Sequence, residues 1–113
     1  MPRRDDDISL RQMCDHAREA CQLIAGRQRD DLDRERVLSL ALVQLMQIIG
    51  EAASRVSEER RQQQPAIPWS PIVALRNRLI HGYDEIDFDI LWQILTTDLP
   101  PLIQVLDRLL AKA

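Results

Sequence analysis

A chain of 113 residues has room for one hydrophobic core, because dividing it would leave two halves each near the marginal size for independent folding. With 45% hydrophobic and 29% charged residues it can bury that core and still wet its surface, which excludes a disordered or fibrous chain, and three glycines and six prolines are too few for a turn-rich sandwich or barrel. A formal charge of −3, from 15 basic and 18 acidic residues, excludes coating of long duplexes by bulk charge but leaves room for small positive sites.

The expected fold is all-α: an antiparallel bundle of four to five helices in one domain over residues 1–113, with a frayed start at about residues 1–7. Ile8, Met13, Ala17, Ala20, Cys21 and Ile24 fall at helical spacing and predict the first helix, with Asp7 as its cap and Gly26 as its stop. Cys14 and Cys21 lie about two turns, roughly 10 Å, apart along that helix, which is too far for a disulfide. His16 faces away from Cys14, so no metal site is expected here. Neither a signal peptide nor an uninterrupted apolar span is apparent, and the expected location is the cytoplasm, with no membrane partner.

The longest helical pattern runs from Asp33 to about Arg61, with Val37, Leu38, Ala41, Leu42, Leu45, Ile48, Ile49, Ala52 and Val56 as a broad apolar stripe. Gly50 in its middle costs about 1 kcal/mol of helix propensity relative to alanine, which predicts a close helix crossing at that point. Glu51 follows it, either as a carboxylate holding an arginine at the crossing or as one more exposed acid. Two prolines, Pro65 and Pro68, end this helix, and Ser70-Pro71 reads as the cap and first turn of a third helix that reaches His81 just before Gly82. Asp84, Glu85 and Asp87 place negative charge before a fourth helix that carries Phe88, Ile90, Leu91, Ile94 and Leu95. After Pro100-Pro101 the pattern resumes at Leu102 and continues to Leu110, as a fifth helix or a kinked continuation of the fourth.

Chemistry concentrates in one stretch, Arg76-Asn77-Arg78-Leu79-Ile80-His81-Gly82-Tyr83. On an ideal helix Arg76 and His81 stand roughly 140° apart, within reach of each other through the long guanidinium stem. Without metal, such a set suits phosphoryl chemistry: arginine holds nonbridging oxygens and histidine moves a proton near neutral pH. On RNA the nucleophile would be the ribose 2′-hydroxyl, and because one histidine cannot serve both reacting oxygens at once, two chains related by a twofold would supply the second imidazole. Arg78 is then expected to point into that cleft or to solvent. Alternatively, Arg76 pairs with Glu51 and His81 merely caps its own helix. Trp69, Phe88 and Trp92 are expected as core or interface anchors rather than base-stacking groups.

The string Arg76-x4-His81-x-Tyr83 resembles the R-x4-H-x-Y signature of the HepT-like toxins, a branch of the HEPN superfamily. Ile49-Gly50-Glu51-Ala52-Ala53, Ile67-Pro68-Trp69, Arg76-Asn77, Asp87 and Trp92 also look like that family. The resemblance implies a HEPN-like helical homodimer acting as a metal-independent endoribonuclease of a type VII toxin–antitoxin system, with Arg76 and His81 catalytic and Asn77, Arg78 and Glu51 in support. It implies as partner an MntA-type nucleotidyltransferase antitoxin, which uses ATP to AMPylate Tyr83, while the toxin itself needs no cofactor. The competing possibilities are a non-catalytic helical dimer that binds the nucleotidyltransferase or a nucleotide through the same cluster, and a cluster that only organises a structural dimer.

Overall fold

The computed structural model describes the backbone of residues 2–81 and 85–111, with side chains from Asp5 onward. Among the described residues eight α-helical segments follow one another: α1 Pro2–Leu23, α2 Asp31–Arg34, α3 Arg36–Arg55, α4 Glu58–Gln62, α5 Trp69–Val73, α6 Leu75–Leu79, α7 Phe88–Gln93 and α8 Leu99–Ala111. A π-helical turn, Ile94–Asp98, joins the last two, and two-residue strands β1 Ile80–His81 and β2 Glu85–Ile86 pair antiparallel between α6 and α7. The all-α bundle is therefore present, in more pieces than four or five.

The core lies where α1 packs against α3 and α8, with α5 and α6 laid across the other side of α3. Leu10, Met13 and Ala17 of α1 meet Leu42, Met46 and Ile49 of α3 and Leu106 of α8 in one continuous cluster, all fully buried. Helix α3 is long and apolar enough to cross a membrane by length and composition, but its apolar face supplies the bundle's centre. The stripe is narrower than its pattern suggests: Val37 is 82% exposed and Ala41 is exposed, because the helix presents Leu38, Leu42, Leu45 and Ile49 to α1 and turns those two outward. Ile8 likewise faces solvent on α1.

Several boundaries differ from expectation, each for a tertiary reason. Helix α1 starts at Pro2, and Asp7 does not cap it: Asp7 accepts from Arg60, while the buried Asp6 accepts from both the backbone N–H and the hydroxyl of Ser57 at 2.8 and 2.6 Å. Those contacts break the long second helix at Val56–Ser57, where Ser57 caps α4 instead. Arg61 then folds back, its guanidinium donating to the carbonyls of Ala53, Ser54 and Val56 at the end of α3 and stacking on the Trp69 ring. Asp33, expected at the start of the long helix, lies in α2 and pairs with Arg29, and α3 begins after the kink at Glu35. The prolines at 100 and 101 fall in the first turn of α8; the π turn before them shifts the hydrogen-bond register, so the chain continues through the missing donors without a separate fifth helix.

Helices α1 and α8 are tied by Arg18, whose guanidinium holds both oxygens of Asp107 at 2.7 Å. Cys14 donates to the same carboxylate at 3.2 Å, and burial, with Asp107 beside it, pushes its thiol pKa up; burial does the same to Cys21. Both thiols are free. In the native protein, alkylation by iodoacetamide at pH 8 should run at least about tenfold slower than in the urea-unfolded chain. A raised thiol pKa also means that the unfolded chain releases its proton first. The associated stability is thus intact below the ordinary thiol range and declines as pH rises through it toward the native value.

Candidate active site

The site begins at Gly50. A Cβ there would stand 3.0 Å from the Ile72 carbonyl oxygen and 3.3 Å from that of Val73, so the missing side chain is what lets α5 lie on the backbone of α3. The chain then bends at Ala74 into α6, where Leu75 and Leu79 turn into the core. On so short a helix that orientation leaves Arg76 and Asn77 facing out, both exposed, at the edge of a groove of about 260 Å³ walled by Gln47, Gly50, Glu51, Ser54 and Val73.

Glu51 is exposed and makes no ion pair with Arg76 among the described residues, although both line this groove. The pairing considered from sequence is not formed. The carboxylate instead accepts from the Gln47 amide at 3.4 Å, and the Glu51 backbone carbonyl accepts from the Ser54 hydroxyl at 2.6 Å.

His81 does not sit at the end of a helix. The helix stops at Leu79, and Ile80 pairs with Ile86 so that both β-branched side chains pack on the core, an extended pairing that helical spacing could not show. The Asp87 backbone N–H donates to the Leu79 carbonyl at 2.8 Å and closes this hairpin. His81 projects outward, 54% exposed at its side chain, with Nε2 at 3.6 Å from Oδ2 of Asp87. The other oxygen of Asp87 caps α7 by accepting from the Ile90 N–H at 3.1 Å, which holds the carboxylate in place beside the imidazole. His81 lies outside the lining of the Arg76 groove. Gly82, expected as the helix terminator, Tyr83 and Asp84 fall outside the described residues.

Arg78, expected in the cleft or toward solvent, does not line the Arg76 groove and keeps 36% of its side chain exposed. Two residues along a helix it turns roughly 200° from Arg76, and it lines a separate cavity of about 520 Å³ with Pro68, Pro71, Leu75 and Leu102, with Asp98 at 3.9 Å. Trp69 and Trp92 are half-buried anchors against the core, the former donating its indole N–H to the carbonyls of Arg61 and Gln64. Among the described residues no group of three or more His, Cys, Asp or Glu is placed to hold a metal ion.

Gln47, Ser54 and Asp87 belong to this region and were not singled out as site residues from sequence. Gln47 and Ser54 stand four before and three after Glu51, so helical spacing on α3 was signal enough. Asp87 reads from sequence as one of the acids before the fourth helix, and only the hairpin brings it to His81. The described residues present an exposed guanidinium at the groove and, on a separate element, an exposed imidazole backed by a carboxylate, the kinds of group that bind an anionic oxygen and move a proton.

Residues 13–109 match the family described as Ribonuclease HepT-like. Over 102 residues the chain is 29% identical to a candidate RNase of Methanocaldococcus jannaschii, covering 90% of this chain and 94% of that protein. It is 28% identical over 102 residues to a candidate RNase of Caldanaerobacter subterraneus subsp. tengcongensis, covering 87% and 91%. A probable ribonuclease HepT of Thermococcus cleftensis is 30% identical over 73 residues, 65% of this chain and 66% of its own length. No solved structure matches the chain significantly.

Proposed function

This chain belongs to the Ribonuclease HepT-like family, and on that premise we propose that it is a metal-independent endoribonuclease toxin in which Arg76 and His81 carry the reaction. The observation that supports it most directly is His81, exposed on a closed hairpin with the Asp87 carboxylate behind it, five residues from the exposed Arg76. Arg76 binds the nonbridging oxygens of the scissile phosphate. An imidazole takes the 2′-hydroxyl proton as O2′ bonds to phosphorus, the P–O5′ bond breaks, and the 5′-oxygen leaves with a proton from a protonated imidazole. The products are a 2′,3′-cyclic phosphate and a 5′-hydroxyl, and both should form from labelled RNA in the presence of EDTA. Regulation follows the family resemblance: an MntA-type antitoxin transfers AMP from ATP to the Tyr83 hydroxyl with release of pyrophosphate, adding a bulky anion two residues from His81 in the chain that would repel RNA phosphate.

The second imidazole comes from a second copy of the chain. On the outer face of α3, Val37 is 82% and Leu40 47% exposed, and the same helical stripe runs through Ala41, Gln44 and Ile48 to Glu51 at the groove. An apolar stripe of this kind suits a twofold helix pairing, which sets the partner chain beside the groove. Val37→Glu with Leu40→Glu should turn a dimer into a folded monomer by light scattering and cut RNA cleavage by at least about tenfold. A wild-type monomer that cleaves RNA, or a double variant that remains dimeric, would contradict this pairing.

A further inference from the structure

We propose that the groove beside Arg76 is a nucleobase subsite selective for guanine, with Glu51 as its specificity-determining residue; the substrate assignment rests on the ribonuclease function proposed above. The groove's size, walls and polar groups each bear on the choice of ligand. At about 260 Å³ it holds roughly nine waters at their bulk volume, comparable to the non-hydrogen atoms of one purine. Val73, 38% exposed, gives an apolar wall for a ring face, and Gly50 adds no side chain to the floor. Arg76 at the edge is placed for the phosphate of the same nucleotide.

The polar groups decide which base fits. The Ser54 hydroxyl spends its proton on the Glu51 backbone carbonyl at 2.6 Å, and the Gln47 amide spends one of its hydrogens on the Glu51 carboxylate at 3.4 Å. The α3 side of the groove therefore offers acceptors to an incoming ring, the remaining lone pairs of Glu51, the Gln47 carbonyl oxygen and the Ser54 oxygen, while the α6 side offers the Asn77 amide and the Arg76 guanidinium as donors. Guanine alone among the four RNA bases carries two adjacent donors, N1–H and N2–H, on its pairing edge, next to the acceptor O6. A carboxylate takes both donors, and O6 accepts from an amide. Uracil and cytosine each offer one donor and two acceptors, and adenine one of each, so all three would set ring acceptors against the carboxylate. Guanine also accounts for a carboxylate inside a groove that must admit RNA: its two donors offset the charge that would otherwise repel the backbone.

The test is binding of 3′-GMP, 3′-AMP, 3′-CMP and 3′-UMP to the purified protein, followed by NMR at the side-chain amides of Gln47 and Asn77. The expected result is 3′-GMP binding about tenfold or more tighter than the other three. In Glu51→Gln, with unchanged circular dichroism and melting temperature, that preference should shrink to about twofold. Equal affinities in the wild type, or a preference that survives in Glu51→Gln, would overturn the subsite. Mapping cleavage sites on a mixed-sequence RNA separates this subsite from the function it rests on. Cuts without guanosine preference would remove the subsite and leave the ribonuclease standing. Guanine-selective binding without cleavage of any RNA would do the reverse.

Discussion

His81→Ala is expected to lower the rate of RNA cleavage by about 10²- to 10⁴-fold, the range over which a positioned acid–base group contributes, while leaving the fold intact. The side chain is 54% exposed and contributes nothing to the core, so its removal should change stability by less than about 0.5 kcal/mol. Asp87 keeps its structural task in the variant, because its cap on α7 uses the other carboxylate oxygen. Loss of activity therefore reports chemistry and not collapse of the hairpin. The assay uses unmodified protein, labelled RNA and EDTA, with wild type and variant at the same oligomeric state. Arg76→Ala should fall comparably, and Arg76→Lys should recover only part of the rate, since a point charge replaces the bidentate fork. Undiminished cleavage by folded His81→Ala would remove this histidine from the mechanism.

Gly50→Val should be the most damaging single change to the scaffold beneath the site. The new Cβ meets the Ile72 and Val73 carbonyl oxygens at 3.0 and 3.3 Å, and backbone, unlike the end of a flexible side chain, yields only by moving all of α5. Overpacking of this kind costs roughly 1–3 kcal/mol, and valine at a helix centre recovers only a few tenths of a kcal/mol over glycine. A melting temperature lowered by roughly 4–12 °C is expected for a domain of this size. Because α5 leads directly into α6, the displacement carries Arg76 and Asn77 away from Glu51, so RNA cleavage should fall even at temperatures where the variant is folded. Gly50→Ala presents the same first contact with less bulk and regains about 1 kcal/mol of helix propensity, so its melting temperature should lie above that of Gly50→Val. An unchanged melting temperature in Gly50→Val would show that the crossing is looser than these distances require.

The candidate site was legible in part. Arg76, Asn77, His81 and Glu51 stood out as chemistry-bearing residues, and Gly50 as the mark of a close crossing, because each is conspicuous against its local pattern. Their grouping was not legible. Helical extrapolation carried Arg76, Arg78 and His81 along one helix. In the structure, Arg76 lines one groove, Arg78 another cavity with Asp98, and His81 a hairpin backed by Asp87.

Hydrophobic spacing alone determined that the chain is helical, that α3 carries the centre of the core, and that α1 and α8 each present an apolar face. Those properties depend on residues three and four apart, and such distances are written in the sequence. The tertiary structure decided where helices break and what the polar residues meet. Asp6 takes Ser57 from 51 residues away and ends α3, Ile86 draws Ile80 out of the motif helix, and Asp107 holds Arg18 from 89 residues away. All three are long-range contacts that residues three and four apart cannot show; the first two end helices whose continuation local propensity favours by only roughly 1 kcal/mol or less.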